Sequence, residues 1–185
     1  IQFGNISKAR DFRRNYNTDN APIFGMDRYQ YQYISDNFPN TIEYSKDHIK
    51  IFTVDIECAC ENGFPDVENP VEEILAVTVK NQSNKQIITW GTGEFKTDRP
   101  DVTYIRCKSE KSLIMEFMKF WIKNYPDIIT GWNTKFFDIP YLMNRICHIV
   151  DEKVIKRFSP WNLVERESIV VRGRPQTHYS IFGIV

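Results

Sequence analysis

Residues 49–61 read IKIFTVDIECACE. Ile49, Ile51, Phe52, Val54 and Ile56 give this segment the apolar, β-branched character of a buried strand, and the pattern predicts a strand over 49–59. Two carboxylates interrupt it. Residues i and i+2 of a strand share a face, so Asp55 and Glu57 are expected to project together, opposite Val54, Ile56 and Cys58. Desolvated and unpaired, they would be costly. Hard oxygen ligands converging at close range are what Mg²⁺ or Mn²⁺ asks for.

Asp-x-Glu alone carries little information. The chain holds a second copy, Asp66-Val67-Glu68, in a loop rich in proline and asparagine, ENGFPDVENPVEE. That copy has no strand pattern around it and is read as solvated. A third acid adds weight to the first copy. In IITGWNTKFFDIPYL, residues 128–142, a short strand passes through a Gly-Trp-Asn turn to Asp138 at the start of a helix. Two readings stay open for Asp138. Parallel neighbouring strands can bring it beside Asp55, or it caps the helix as an acid near the positive end of the helix dipole.

Outward from these motifs the order is β-β-β-β-α-β-α. Residues 73–81 and 85–91 read as two strands of a hairpin around Gln82-Ser83-Asn84, followed by a short strand over 102–107. Residues 109–126 form a strong helix: Leu113, Phe117, Phe120 or Trp121, and Tyr125 recur at helical spacing, and Pro126 stops it. Pro140 is expected to open the last clear helix. Beyond about Lys153 the chain reads as basic and irregular. The order argues a mixed sheet flanked by helices, an α/β layer architecture.

A smaller α+β unit precedes it over residues 1–48. SKARDFRRNY, residues 7–16, reads as a short helix with Ser7 as N-cap. DRYQYQYISD, residues 27–36, alternates Tyr29, Tyr31 and Tyr33 with polar partners, the period of a half-buried strand. Residues 37–40, Asn-Phe-Pro-Asn, read as a turn.

Together, VDIE (residues 54–57) and GWNTKFFDIPYLMNR (residues 131–145) resemble the first and second exonuclease motifs of family B DNA polymerases. The second has the form N-x-x-x-F-D, matched by Asn133, Phe137 and Asp138. GFP (residues 63–65), KRFSP (residues 156–160) and YSIFGIV (residues 179–185) look like the branch of that family found in T-even-type bacteriophages. The resemblance covers nearly the whole chain. It implies a ribonuclease-H-like exonuclease domain over 49–185, preceded over 1–48 by part of the polymerase N-terminal domain.

The activity implied is 3′→5′ proofreading, in which two divalent ions about 4 Å apart activate a water and stabilise the leaving 3′ oxygen. Carried over by motif, Asp55 would bridge both ions, Glu57 would ligate the water-activating ion and Asp138 would hold the second, largely through water. Phe64 matches a family position that stacks on a base near the unpaired 3′ end; folding onto the core is the other reading of this loop phenylalanine. Asn133 reads equally as a strand contact or a turn cap, and Phe137 more as core than as a DNA contact. The partners implied are single-stranded 3′ ends and primer–template DNA, the remaining polymerase domains and a sliding clamp. The family's third exonuclease motif, with its tyrosine and fourth aspartate, has no counterpart after Asp138. The chain is therefore expected to be a fragment with little nuclease activity of its own. A free-standing exonuclease of the same fold and a nucleic-acid-binding module without catalysis are the alternative readings.

The rest of the sequence constrains less. The 185 residues carry 24 Lys plus Arg against 24 Asp plus Glu, so any nucleic-acid surface must be local. Lys153, Lys156, Arg157, Arg166, Arg172 and Arg174 make the tail basic. They read as a solvated face or, with Lys156 and Arg157 foremost, as phosphate contacts. His148 reads as structural, and the four tryptophans as core or core edge. Cys58 and Cys60 are expected on one strand face, and all four cysteines as reduced thiols. No apolar run approaches the roughly 20 residues that span a bilayer, no signal peptide is visible, and no membrane partner is expected. The expected location is cytoplasmic, the host cytoplasm if the source is viral.

Overall fold

The computed structural model describes residues 3–16, 29–41, 43, 45–61, 63–171 and 173–185. The chain divides into two compact units, Ile1–Tyr44 and Ser45–Val185.

In the first unit α1 spans Ile6–Asn15. Its cap is Asn5, whose side chain accepts from Lys8 N at 2.9 Å; Ser7, the expected cap, lies inside the first turn. The tyrosine-rich segment is a helix, α2, over Tyr29–Asn37, and not the strand its alternation suggested. Period two marks a strand only where a sheet covers one face. Here Tyr31 and Tyr33 are both exposed, and i,i+4 bonds hold the turns: Gln32 donates to Asp36 and Asn37 to the Tyr33 carbonyl. Residues 27 and 28 of that segment lie outside the described residues.

The second unit is built on a five-stranded mixed sheet, the α/β architecture expected of a ribonuclease-H-like exonuclease domain. Its strands are β1 (Ile51–Cys58), β2 (Ile74–Asn81), β3 (Ile87–Gly91), β4 (Val102–Arg106) and β5 (Ile128–Thr130). They lie in the order β4-β3-β2-β1-β5. β1, β2 and β3 pair antiparallel, β3 with β4 and β1 with β5 parallel. Phe52, Val54 and Ile56 are buried while Asp55 and Glu57 are exposed, so β1 alternates as its sequence requires. The strand ends at Cys58, which leaves Cys60 exposed and off the sheet.

Helix α3 (Glu110–Asn124) packs on β2 and β3. Ser109 caps it in a reciprocal box with Ser112. Phe117 meets Trp90 edge-on, and Trp121 meets Phe52. Helix α4 spans Asp138–Ile149 and starts two residues before the expected Pro140, which sits within its first turn. A buried ion pair joins the two helices. Arg145 on α4 donates to both oxygens of Glu110, at 2.8 and 2.7 Å, and also to the carbonyls of Pro70 and Val71.

The segment after Lys153 is regular. A short α5 (Glu152–Ile155) and a 3₁₀ turn (Lys156–Phe158) lead to an antiparallel hairpin of β6 (Val164–Val171) and β7 (Arg174–Ile181). β6 is almost wholly solvent-facing. With no buried face to cover, it has no apolar alternation to betray it.

Candidate functional site

The alternation of β1 puts Asp55 and Glu57 on an open polar face of the sheet. Thr78 lies opposite Asp55 in the register and bonds Thr89 at 3.0 Å, and Thr53 accepts from Gln82 at 2.6 Å. The register shifts between Glu57 and Cys58. Among the described residues, neither carboxylate takes part in an ion pair.

Asp138 reaches this edge because β5 runs parallel to β1, so the turn after β5 and the start of α4 fall beside the middle of β1. Its Oδ1 accepts from Ile56 N, the amide between the two strand acids, at 3.2 Å. Its Oδ2 is buried with no partner. Only 3% of the residue is exposed. Burial is the main cause that pushes its pKa up from 3.8 to about 6, helped by the charges of Asp55 and Glu57 and opposed by the Ile56 amide.

The close approach of these elements depends on Gly131. A Cβ there would lie 2.6 Å from the Val54 carbonyl oxygen and would collide with Thr134 Oγ1. Two residues on, Asn133 adopts a left-handed φ of 56°, which asparagine tolerates, and its carbonyl accepts from Phe136 N and Phe137 N. Phe64 projects from the loop after β1 and is 85% exposed, with its ring 5.4 Å from that of Phe137. Phe137, half-buried, stacks in turn on Tyr141.

The three acids, Phe64, Phe137 and Asn133 thus share one end of the sheet. Lys156 and Arg157 belong elsewhere: both are exposed on the 3₁₀ turn, where the Arg157 carbonyl accepts from Tyr125 Oη at the end of α3. Arg172 lies outside the described residues.

One feature runs against the sequence reading and a second goes beyond it. Trp132 and Trp161 are exposed, 93% and 68%, in contrast to the core Trp90 and Trp121. Both exposed rings sit in turns, outside any helical or strand period that would aim them inward. Glu68, read as solvated, is exposed and is also bound through its carboxylate to Thr177 and Arg166 of the hairpin.

The donor set suits a hard divalent cation. It offers one buried carboxylate oxygen without a donor and two unpaired acids within electrostatic reach. Cys58 contributes nothing to it, since burial, with Asp138, Glu110 and Glu57 adding, pushes its thiol up to about 12 and keeps it protonated. Among the described residues no three His, Cys, Asp or Glu side chains converge to metal-binding distance. Ionised together, three acids at such a site repel one another.

Comparison with known proteins identifies the family. The family described as DNA polymerase family B, exonuclease domain, matches residues 5–185. The DNA-directed DNA polymerase of Enterobacteria phage T4 is 28% identical over 99% of this chain, and that of Escherichia phage RB69 30% identical over 98%. The DNA polymerase delta catalytic subunit of Candida albicans is 34% identical over 52% of the chain. The chain spans 23% of the length of either phage enzyme. Among the described residues no helix is long and apolar enough to cross a membrane.

Proposed function

The chain belongs to the exonuclease-domain family of family B DNA polymerases, and from that membership we propose that residues 49–185 take part in removing nucleotides from the 3′ end of single-stranded DNA, as the proofreading region of a replicative polymerase. Residues 1–48 are assigned to the N-terminal domain of the same enzyme. Primer–template DNA, the remaining polymerase domains and a sliding clamp are its partners in this reading, and its place is the cytoplasm, that of the host cell if its source is viral.

The observation that carries the reading is Asp138, with one oxygen on the β1 amide and the other buried and unpartnered beside two exposed acids. Asp55, Glu57 and Asp138 would hold Mg²⁺ or Mn²⁺. When bound, such ions activate a water and stabilise the charge that builds on the leaving 3′ oxygen. The chain's own work is placement. Phe64, backed by Phe137, offers a face on which any base can stack, worth about 1–3 kcal/mol per base. Asn133 presents the turn after β5 to the strand, and Lys156 and Arg157 offer charge to phosphates further along.

The test is Mn²⁺ binding by this chain, followed by electron paramagnetic resonance. Wild-type protein is expected to bind Mn²⁺, and Asp55→Ala to weaken that binding at least about tenfold, the loss of one charged ligand from a site of several. Equal affinity in wild type, Asp55→Ala and Asp138→Asn would place any bound ion elsewhere and overturn the reading.

A further inference from the structure

Glu68 is joined to the hairpin by three bonds. Thr177 N donates to Oε1 at 3.0 Å, Thr177 Oγ1 donates to Oε2 at 2.9 Å, and Arg166 Nη2 donates to Oε2 at 3.2 Å. Arg166 Nη2 also donates to Thr177 Oγ1 at 3.4 Å, which closes the set into a triangle. Thr177 itself is buried. On the loop side, Glu68 N donates to Asp66 Oδ1 at 2.9 Å. One residue back, the Val67 carbonyl accepts from Asn144 of α4 at 2.7 Å, and Asn144 Oδ1 accepts from the buried Tyr179 Oη of β7 at 2.6 Å. Loop, hairpin and α4 are therefore tied pairwise.

Phe64 lies four residues before Glu68 and is 85% exposed. Between the Phe64 loop and the hairpin is a cleft of about 360 Å³, lined by Phe64, Phe137, Gln176 and Thr177 among others. Glu68, which bonds Thr177, also lines it. Among the described residues the Phe64 ring meets only that of Phe137, while its neighbour Pro65 is buried. The hydrogen bonds to the hairpin add a directional constraint to this packing, because backbone and hydroxyl donors aimed at a carboxylate are stronger and more directional than contacts between neutral groups.

We propose that Glu68 is a positioning residue: it links hairpin β6–β7 to the loop that presents Phe64, so that the hairpin and the base-stacking ring move as one body. The part of this that concerns DNA rests on the proposed role of Phe64. The link itself stands on the geometry alone. It gives the acidic loop motif a role that is neither metal binding nor solvation.

The experiment uses the 185-residue chain with Glu68→Ala, Glu68→Gln, Phe64→Ala and the Phe64→Ala/Glu68→Ala double variant. Amide hydrogen exchange reads the link. Glu68→Ala is expected to speed exchange at least about tenfold both in residues 63–71 and in β7 around Thr177. Glu68→Gln, which keeps an acceptor for Thr177 N, restores most of the protection. Binding of a fluorescent single-stranded oligonucleotide in EDTA reads the consequence. Phe64→Ala is expected to weaken it about 5–150-fold, the range of one stacked base. Glu68→Ala is expected to weaken it several-fold in wild type and hardly at all on top of Phe64→Ala.

Faster exchange confined to one of the two segments, or equal, additive losses in the presence and absence of Phe64, would overturn the link. If Phe64→Ala binds DNA as wild type does while exchange rises in both segments of Glu68→Ala, the link stands and the reading of Phe64 as a stacking platform falls.

Discussion

Asp138→Asn is expected to raise the stability of this protein at pH 7.5 in EDTA by about 1–3 kcal/mol, while it lowers affinity for Mn²⁺. The folded-state pKa is raised from 3.8 to about 6. Between those values the folded chain keeps a proton that the unfolded chain has released, so this group's contribution is full below about pH 4. It is lost as pH rises through about 6. Above that, the ionised carboxylate is held in a buried site against the repulsion of Asp55 and Glu57, at about 1.4 kcal/mol per unit of displacement. An amide keeps the acceptor for Ile56 N and removes the charge. Urea denaturation in EDTA checks this. The advantage of the Asn variant should be present at pH 7.5 and vanish near pH 4, where the wild-type acid is neutral. An Asn variant no more stable than wild type at pH 7.5 would mean that the carboxylate is comfortable there, and the case for a cation at this position would lose its main support. A stable protein that keeps a destabilising acid fits a group retained for binding.

Arg145→Ala is expected to cost about 3–5 kcal/mol, the usual loss when one partner of a buried ion pair is removed. Both side chains of the pair are only 8% exposed. Truncation leaves the Glu110 carboxylate with the Ile74 amide as its remaining donor, at 2.8 Å, and strips the Pro70 and Val71 carbonyls of theirs. Lysine cannot recover this, because a single ammonium cannot serve a bidentate carboxylate and two carbonyls in the plane of a guanidinium. Equilibrium denaturation of Arg145→Ala, Glu110→Ala and the double variant gives the pairwise term. The double variant should be far less destabilised than the sum of the singles. A loss below about 1 kcal/mol for Arg145→Ala would mean that the pair is effectively solvated.

What could be read ahead of the structure follows from where information sits in a chain. β1 and α3 were legible because each buries one face, and burial writes a period of two or 3.6 into the sequence. The approach of Asp138 to β1 was legible through an expected parallel strand pair, and β1 does pair parallel with β5, with Asp138 on the Ile56 amide. The hairpin was not legible, because β6 shows both faces to solvent. Nor was the helical state of residues 29–37, where exposed tyrosines happened to alternate. Glu68 is exposed, as its loop suggested, but its bonds to the hairpin were not legible: its partner Thr177 lies 109 residues away, and nothing local distinguishes an acid that will be met from one that will not.

Gly131 imposes a different kind of constraint from the acids it helps to assemble. Its neighbours exclude volume, not charge, since β1 backbone and a threonine occupy the space that any side chain would enter. On the proposed function, variation at Asp55 or Glu57 is expected to be limited by chemistry and to leave the fold intact, whereas variation at 131 is limited by size and reaches the fold first. In a library of single substitutions scored twice, for protein abundance and for metal binding, the two classes would separate: losses at 131 along both axes, losses at 55 and 57 along one. A single missing methyl group thus sets how near the turn after β5 may come to β1, and with it how near Asp55 and Asp138, 83 positions apart in the chain, may lie.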